Sequence, residues 1–366
     1  MQKFFLPSKI FTGDEWLKDH AIITKDGVIE KFIPQSQVNA SEAIENYTQC
    51  DFVPPFIDAQ VYGAGKRLFA AYPDVETLQL MNKIFRSQGT VLFVPTIATN
   101  TIELFKKCID AVRDYWKQGE KGVHGLHLEG PWIHPSKRGA HVEEWIHPPT
   151  IKEAKEILDY GEGVITMITV APEVCSDDVI QLIRSRGIVI SAGHSNANYF
   201  EAMNSFDKGV SAVTHLYNAM SPLHHREPGL VGAAFQHAEV MSSVIPDGHH
   251  VDFAAISIAK KLMKERLFAI TDAVTETTAG PYQHYLAGDK YECNGILSGS
   301  AISMHQAFLN LVNKVGVGVA EALRMCSLYP AKALRYDEDY GKIAPGRRGQ
   351  FLVLDKQLGI VDLITL

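Results

Sequence analysis

One strand–helix–strand unit can be recognised in residues 164–194, which read VITMITVAPEVCSDDVIQLIRSRGIVISAGH. Two short runs rich in β-branched residues, Val164–Ala171 and Ile188–His194, predict strands that are buried on both faces. The stretch Ser176–Arg186 between them has the apolar spacing of an amphipathic helix. The unit therefore predicts two parallel strands joined by a helix.

The same alternation of strands and helices continues on both sides of this unit. Eight such units over roughly 280 residues match a (β/α)8 barrel, which takes about 250 residues before insertions. An open doubly wound sheet is the alternative. The further strands are predicted at Phe52–Ala59, Thr90–Thr96, Val123–Glu129, Ala212–Leu216, Val240–Asp247 and Leu267–Asp272, and the further helices at Val75–Ser87, Ile102–Gln118, Ile151–Tyr160, Tyr199–Lys208 and Ala254–Lys264.

The two ends of the chain have a different pattern, of short strands and turns. Lys25-Asp26-Gly27 lies between two apolar runs and is typical of a β-hairpin. Near the other end, residues 351–355 predict a short strand after a turn-rich run. Neither end can bury a core alone. We therefore predict an α/β protein, with a (β/α)8 TIM-like barrel over 53–336 and a small β-sandwich domain formed by 1–52 with 337–366.

Composition and charge exclude several classes of protein. The chain is 46% hydrophobic and 21% charged, and its net charge of −7 argues against a nucleic-acid binder. The five cysteines have no C-x-x-C spacing, which excludes a disulfide scaffold and suits a reducing cytosol. No signal peptide and no run of 18 apolar residues is evident. We therefore expect a cytoplasmic protein without a membrane or nucleic-acid partner.

Polar side chains stand where several predicted strands end. Glu129, His194 and His215 end the third, fifth and sixth strands. Because the strand ends of such a barrel meet at one rim, these side chains would surround a single point. One carboxylate and two imidazoles form a common catalytic zinc set, with a fourth position open for water. Taken singly, each histidine is more often a hydrogen-bonded structural residue.

Two further residues are candidates for chemistry. Asp272 ends the eighth predicted strand and would act as the general base that later protonates the leaving group. Its alternative role is to cap a following helix. His141 lies in a long loop after the third strand and would stabilise negative charge on a carbonyl oxygen. Four other histidines are interpreted as surface or packing residues: His134, His147, His224 and His237.

Six short motifs are distinctive as a set: HLEGPW at 127–132, AGHS at 192–195, VTHLYNAM at 213–220, DGHHVD at 247–252, TDA at 271–273 and LSGSA at 297–301. Together they resemble the N-acetylglucosamine-6-phosphate deacetylase family of the amidohydrolase superfamily. The resemblance covers nearly the whole chain. It implies a metal-dependent hydrolase that removes the acetyl group of N-acetylglucosamine-6-phosphate.

The resemblance also implies roles for individual residues. It makes Glu129, His194 and His215 the metal ligands and Asp272 the catalytic acid and base. It implies a homodimer, because in this family the phosphate site is completed across the subunit interface. The implied substrate contacts are His141, Asn218 and Ala219 for the sugar and its acetamide, and Arg226 and His250 for the 6-phosphate. The alternative to a phosphate contact for Arg226 is a solvated charge paired to Glu227.

The chain departs from many amidohydrolases on its first barrel strand. A His-x-His pair there holds a second metal, whereas this sequence has Gln60 and Tyr62. Neither side chain is a strong ligand for a transition metal. We therefore expect one divalent metal ion per subunit, with Zn²⁺ the expected ion.

Three alternatives to this function remain open at the level of sequence. The nearest is deacetylation of a related substrate such as N-acetylgalactosamine-6-phosphate. Hydrolysis of a cyclic amide is a second, although such sites usually use the two-metal arrangement. The third is a non-catalytic sugar-phosphate-binding barrel, which would keep Arg226 and His250 but would have little need for the metal ligands and Asp272.

Overall fold

The computed structural model describes residues 2–39 and 42–366. Residues 1, 40 and 41 of the predicted terminal domain lie outside the described residues. The strands are β1 (Gln2–Phe11), β2 (Trp16–Lys18), β3 (His20–Lys25), β4 (Val28–Pro34), β5 (Ile44–Val53), β6 (Phe56–Val61), β7 (Gly63–Ala64), β8 (Arg67–Leu68), β9 (Thr90–Ala98), β10 (Leu126–Glu129), β11 (Ile165–Val170), β12 (Val189–Ala192), β13 (Ala212–Val213), β14 (Met241–Val244), β15 (Leu267–Ala269), β16 (His284–Ala287), β17 (Lys290–Cys293), β18 (Ile296–Leu297), β19 (Gln350–Leu354) and β20 (Ile360–Thr365). The α-helices are α1 (Val75–Ser87), α2 (Ile102–Lys117), α3 (Ile151–Tyr160), α4 (Asp177–Ser185), α5 (Tyr199–Asp207), α6 (Gly229–Gln236), α7 (Phe253–Met263), α8 (Met304–Asn310), α9 (Val319–Cys326) and α10 (Leu328–Ala333).

Eight parallel strands form the central barrel, in the order β6, β9, β10, β11, β12, β13, β14 and β15. Two backbone hydrogen bonds beyond the last strand close it. The Asp272 amide donates to the Gln60 carbonyl at 3.0 Å, and the Tyr62 amide donates to the Ala273 carbonyl at 2.8 Å. The predicted (β/α)8 barrel is therefore confirmed, and the open doubly wound sheet is wrong.

The barrel elements form for the reasons that their sequences suggest. Strand β9 is buried at every residue except Ala98, as expected for a parallel strand between helices and the barrel interior. Helix α2 begins at an N-cap, Thr101, whose hydroxyl accepts a hydrogen bond from the Leu104 amide. Its buried face includes Phe105 and Ile109 at i and i+4. Each helix of this kind buries one apolar face against the barrel.

The predicted first barrel strand, Phe52–Ala59, was wrong as a single element. Strand β5 ends at Val53 in the terminal sheet, and β6 begins at Phe56 in the barrel. Pro54 and Pro55 separate the two, because proline has no backbone N–H with which to continue a ladder. Several other strands end earlier than predicted, and the sequence pattern missed helices α6, α8, α9 and α10.

Both ends of the chain contribute to one terminal sheet of seven strands. Its order is β20-β19-β5-β1-β3-β4, with β2 paired to β1. The predicted hairpin at residues 25–27 is confirmed as the β3–β4 connection. Phe5, Phe52 and Phe351 pack together with ring centroids 5.2–6.0 Å apart, which ties the two ends of the chain into one core.

We propose, on the basis of this sheet, that the chain divides into a terminal domain of 1–52 with 337–366 and a barrel domain of 53–336.

Among the described residues, no helix has the length and apolar character needed to cross a membrane.

Candidate active site

The carboxyl ends of the barrel strands open into a cavity of about 370 Å³. Eight of the nine predicted site residues line it, and Arg226 does not. Parallel strands place their carboxyl ends at the same rim, so the barrel itself brings together residues that are far apart in sequence. The eight are Glu129, His141, His194, His215, Asn218, Ala219, His250 and Asp272.

Three atoms at the base of this cavity are spaced like the ligands of one metal ion. The distances are 3.3 Å from Glu129 Oε1 to His194 Nε2, 3.1 Å from Glu129 Oε1 to His215 Nε2, and 3.1 Å between the two Nε2 atoms. Ligand atoms about 2.0–2.1 Å from a tetrahedral zinc ion lie about 3.3–3.4 Å from one another. We call these three residues the Glu-His-His set.

His141 joins the same cluster from the other side of the carboxylate. Its Nε2 lies 3.3 Å from Glu129 Oε2. Glu129, His141 and His194 also have ligand atoms that all lie within 4.8 Å of one another. Spacing alone therefore allows two triplets, which share Glu129 and His194 and differ in the third residue.

The hydrogen bonds of His194 indicate that the cluster suits a cation. Its Nδ1 lies 2.9 Å from the Lys137 carbonyl oxygen, which can only accept a hydrogen bond. Nδ1 therefore carries the hydrogen, and Nε2 presents a lone pair to the Glu129 carboxylate. Two electron-rich atoms facing each other in a buried site repel, whereas a divalent metal ion would bind both. Histidine ligands of metals usually donate their other N–H to a carbonyl or carboxylate in this way.

Electrostatics at the site favour an ionised carboxylate and neutral imidazoles. Burial disfavours the charged form of Glu129, but its contacts with His141 and His194 outweigh burial and hold its pKa well below the usual value. Burial lowers the pKa of His141 to about 4 and also lowers the pKa of His215. Neutral histidine and ionised glutamate are the forms that bind a metal ion.

Three of the predicted metal ligands and catalytic residues have left-handed backbone conformations. The φ angles are +48° at His194, +35° at His215 and +54° at Asp272. The three residues lie two or three positions beyond the last residues of β12, β13 and β15. Such backbone conformations cost about 1–3 kcal/mol each for residues other than glycine, and they concentrate at functional sites.

Asp272 is buried, and no helix begins between it and β16, so its alternative role as a helix cap is wrong. Within the described part of the chain its Oδ1 has no hydrogen-bond partner. Burial, with the negative charges of Glu129 and Asp58, raises its pKa well above the usual value. A buried carboxyl group with an elevated pKa and a free oxygen that lines a cavity is suited to carry a proton.

Gln60 and Tyr62 hold the carboxylate of Glu129 in place. Gln60 Nε2 donates to Glu129 Oε1 at 2.9 Å and to the Tyr62 hydroxyl at 2.9 Å. The Tyr62 hydroxyl donates to Glu129 Oε2. Both side chains therefore supply hydrogen-bond donors to the Glu129 carboxylate.

Three of the residues predicted to contact the sugar phosphate, Asn218, Ala219 and His250, also line the cavity. His250 Nδ1 lies 2.6 Å from Asp247 Oδ2, and its backbone amide donates to Asp247 Oδ1 at 2.8 Å. Asp247 thereby fixes the orientation of the His250 ring. The Asn218 amide donates to the His215 carbonyl at 2.9 Å, so Asn218 is connected directly to the Glu-His-His set.

Arg226 lies apart from the cavity, in an exposed loop. It lines a separate surface cavity of about 680 Å³ beside helix α5. The predicted alternative, an ion pair with Glu227, does not form, and Arg226 has no ion pair with any other described residue. Two large apolar side chains are exposed beside it, with Phe200 80% and Leu223 54% exposed.

Sequence reasoning missed three residues of the site. Thr99 follows β9 directly and contacts His141. Because it stands at a strand end, the same rule that predicted Glu129 and His194 could have identified it. Tyr282 and His284 line the cavity from the segment around strand β16. That segment is an antiparallel hairpin beyond the last barrel strand, and its sequence has no strand–helix pattern to reveal it.

Two family models match this chain. The family model described as "Amidohydrolase family" matches residues 52–365, and the model described as "NagA composite domain" matches residues 5–47.

Two curated relatives match nearly the whole chain. An N-acetylglucosamine-6-phosphate deacetylase from Haemophilus influenzae is 32% identical, over 97% of this chain and 96% of the relative. An N-acetylgalactosamine-6-phosphate deacetylase from Escherichia coli is 31% identical, with the same coverage. The crystal structure of an N-acetylglucosamine-6-phosphate deacetylase from Pasteurella multocida is 31% identical, with a TM-score of 0.95 over 100% of this chain and 98% of that one.

Proposed function

The chain belongs to the amidohydrolase family, and we propose that it hydrolyses the acetamide of N-acetylglucosamine-6-phosphate to glucosamine-6-phosphate and acetate. The observation that carries this proposal is the convergence of the Glu-His-His set and Asp272 on one cavity. The relatives that match nearly the whole chain act on amino-sugar 6-phosphates, as their names state. A non-catalytic sugar-phosphate-binding barrel would have no use for this combination.

We propose one divalent metal ion per subunit, held by Glu129, His194 and His215, with zinc as the expected ion. The spacing of 3.1–3.3 Å between their ligand atoms supports this set. A bound divalent ion supplies Lewis-acid chemistry, which makes water acidic enough to lose a proton near neutral pH. Gln60 and Tyr62 hold Glu129 and favour a site for a single ion.

Asp272 and His141 carry the proton transfer and the charge stabilisation in this scheme. Asp272 takes the proton of the attacking water and then gives it to the amine nitrogen as the C–N bond breaks. His141 donates a hydrogen bond to the acetyl oxygen, where negative charge develops. One water molecule is consumed, and the products are acetate and the amine, which holds the second proton of the water as an ammonium group.

The 6-phosphate is proposed to bind His250 of one subunit and Arg226 of the partner in a homodimer. Arg226 lines a different cavity from His250, and the exposed apolar side chains of Phe200 and Leu223 flank its loop. An acidic protein that binds a phosphate needs such a local cation, and arginine can bind phosphate through two hydrogen bonds.

Arg226→Ala is expected to raise KM for N-acetylglucosamine-6-phosphate by about tenfold or more, because a charged hydrogen bond to the phosphate is lost. The unphosphorylated sugar should be affected little. Steady-state kinetics with both sugars measure this, with the exposed Arg335→Ala as the matched control.

Mixing subunits tests whether Arg226 acts across the interface. Arg226→Ala chains reassembled with Asp272→Asn chains should regain activity in about one quarter of the sites, since each hybrid dimer has one intact site. No gain over the separate variants would contradict the shared site.

A panel of substrates tests the proposed reaction. We expect acetate and free amine in equal amounts from N-acetylglucosamine-6-phosphate, and much slower release from the unphosphorylated sugar. N-acetylgalactosamine-6-phosphate is the second candidate, favoured by the E. coli relative, and its kcat/KM decides between the two epimers. Equal rates with and without the phosphate would contradict the roles of Arg226 and His250.

We also propose a cytoplasmic location. All five cysteines are unpaired, which suits a reducing compartment.

A further inference from the structure

We propose that Thr99 is a positioning residue that fixes the tautomer of His141, so that His141 serves as a hydrogen-bond donor to the substrate and not as a metal ligand. This inference rests on the proposed function, because the substrate oxygen is the acetyl oxygen of that reaction. Thr99 does not line the cavity itself, but it contacts His141, which does.

Thr99 holds one nitrogen of the His141 ring from two sides. Its backbone amide donates to His141 Nδ1 at 3.3 Å, and its hydroxyl lies 2.7 Å from the same nitrogen. Thr99 has no exposed surface and His141 is 5% exposed, so water does not compete for these contacts. The backbone amide acts on Nδ1 alone, whereas the hydroxyl also lies 3.5 Å from the Glu129 carbonyl oxygen.

The backbone amide determines where the ring carries its hydrogen. An amide N–H can only donate, so Nδ1 of His141 must present its lone pair. A neutral imidazole carries one hydrogen, which then lies on Nε2. Nε2–H is the group that faces Glu129 Oε2 at 3.3 Å. With its hydrogen there, Nε2 has no lone pair to offer a metal ion.

His194 shows the opposite arrangement around the same carboxylate. The Lys137 carbonyl holds the hydrogen of His194 on Nδ1, which leaves the Nε2 lone pair free for a metal ion. One backbone carbonyl and one backbone amide thus assign opposite tautomers to two histidines whose Nε2 atoms both face Glu129. This difference selects His215 over His141 as the third ligand.

The surroundings keep Thr99 in position. The Tyr282 hydroxyl donates to the Thr99 carbonyl at 2.6 Å and accepts from the Val142 amide at 3.3 Å, which links Thr99 to the loop that carries His141. Gly130 leaves room for the threonine side chain, because a Cβ at residue 130 would lie 2.3 Å from Thr99 Oγ1. Tyr282 is itself buried, so its two hydrogen bonds are shielded from water.

Nitrogen NMR of the ¹⁵N-histidine-labelled protein at neutral pH tests the tautomer directly. The variants His141→Gln and His194→Gln assign the two rings by loss of their signals. We expect hydrogen on Nε2 of His141 and on Nδ1 of His194 in the metal-free protein. Hydrogen on Nδ1 of His141 would overturn the inference. This measurement needs no turnover, whereas failure of the proposed function would appear as absence of acetate release by the wild-type protein.

Kinetics of Thr99 variants test the positioning role. Thr99→Val removes the hydroxyl and keeps the backbone amide, and we expect kcat to fall by about three- to tenfold with KM within about twofold and metal content unchanged. Thr99→Ser should restore most of kcat. Thr166→Val is the matched control, because its hydroxyl bonds only the His124 and Leu126 carbonyls. An unchanged kcat in Thr99→Val, or an equal fall in the control, would overturn the positioning role of the Thr99 hydroxyl.

Discussion

Asp272→Asn is expected to lower kcat for acetate release by a factor of about 10²–10⁴, the usual contribution of a general acid–base residue. The amide has nearly the same shape as the carboxyl group, but it cannot accept a proton from water or return one to the amine. Asp272 lies outside the Glu-His-His set, so the metal content should stay the same. An enzyme-coupled assay of acetate measures kcat, and metal analysis of the same sample measures the metal content.

The exposed Asp178→Asn in helix α4 makes the same chemical change at a residue that does not line the cavity and should leave kcat unaltered. If Asp272→Asn keeps near-wild-type kcat with its metal bound, Asp272 is not the proton carrier. A loss of metal in this variant would point instead to a role as a ligand.

Glu129→Gln is expected to abolish tight metal binding and to lower acetate release by about 10³-fold or more, since a metal ion contributes several kcal/mol to such reactions. Glu129 is the single carboxylate of the set, and it is 1% exposed. The neutral amide removes the negative charge that offsets the charge of the ion.

Thermal unfolding with and without zinc provides a measurement that does not depend on activity. A ligand that binds only the folded protein raises its melting temperature, so zinc should stabilise the wild-type protein and not Glu129→Gln. The exposed Glu239→Gln is the matched control and should respond to zinc like the wild type. One tightly bound metal ion per chain in Glu129→Gln would contradict the assignment of Glu129.

The sequence predicted the barrel and the rim because both follow from local patterns and a general rule. Short β-branched runs and amphipathic stretches mark parallel strands and their covering helices. The ends of parallel strands meet at one rim, so Glu129, His194, His215 and Asp272 could be placed together without any contact being known. Even the helix bounds of α1 and α3 agree with the pattern.

Other features depend on contacts that no local pattern encodes. The donors from Gln60 and Tyr62 to Glu129 join residues nearly seventy positions apart, and Thr99 reaches His141 across forty-two. Helix α6 is buried at six of its eight residues and is rich in glycine and alanine, so it lacks the polar face that reveals a surface helix. The position of Arg226 away from the cavity depends on how its loop folds on α5, which the sequence does not specify.

The most direct test of the account is a metal titration of the stripped wild-type protein with N-acetylglucosamine-6-phosphate as substrate. We expect almost no acetate release before zinc is added, a linear rise as it is added, and a plateau at about one equivalent per chain. Full acetate release by the metal-free protein, or none at saturating zinc, would contradict a one-metal deacetylase built on Glu129, His194, His215 and Asp272.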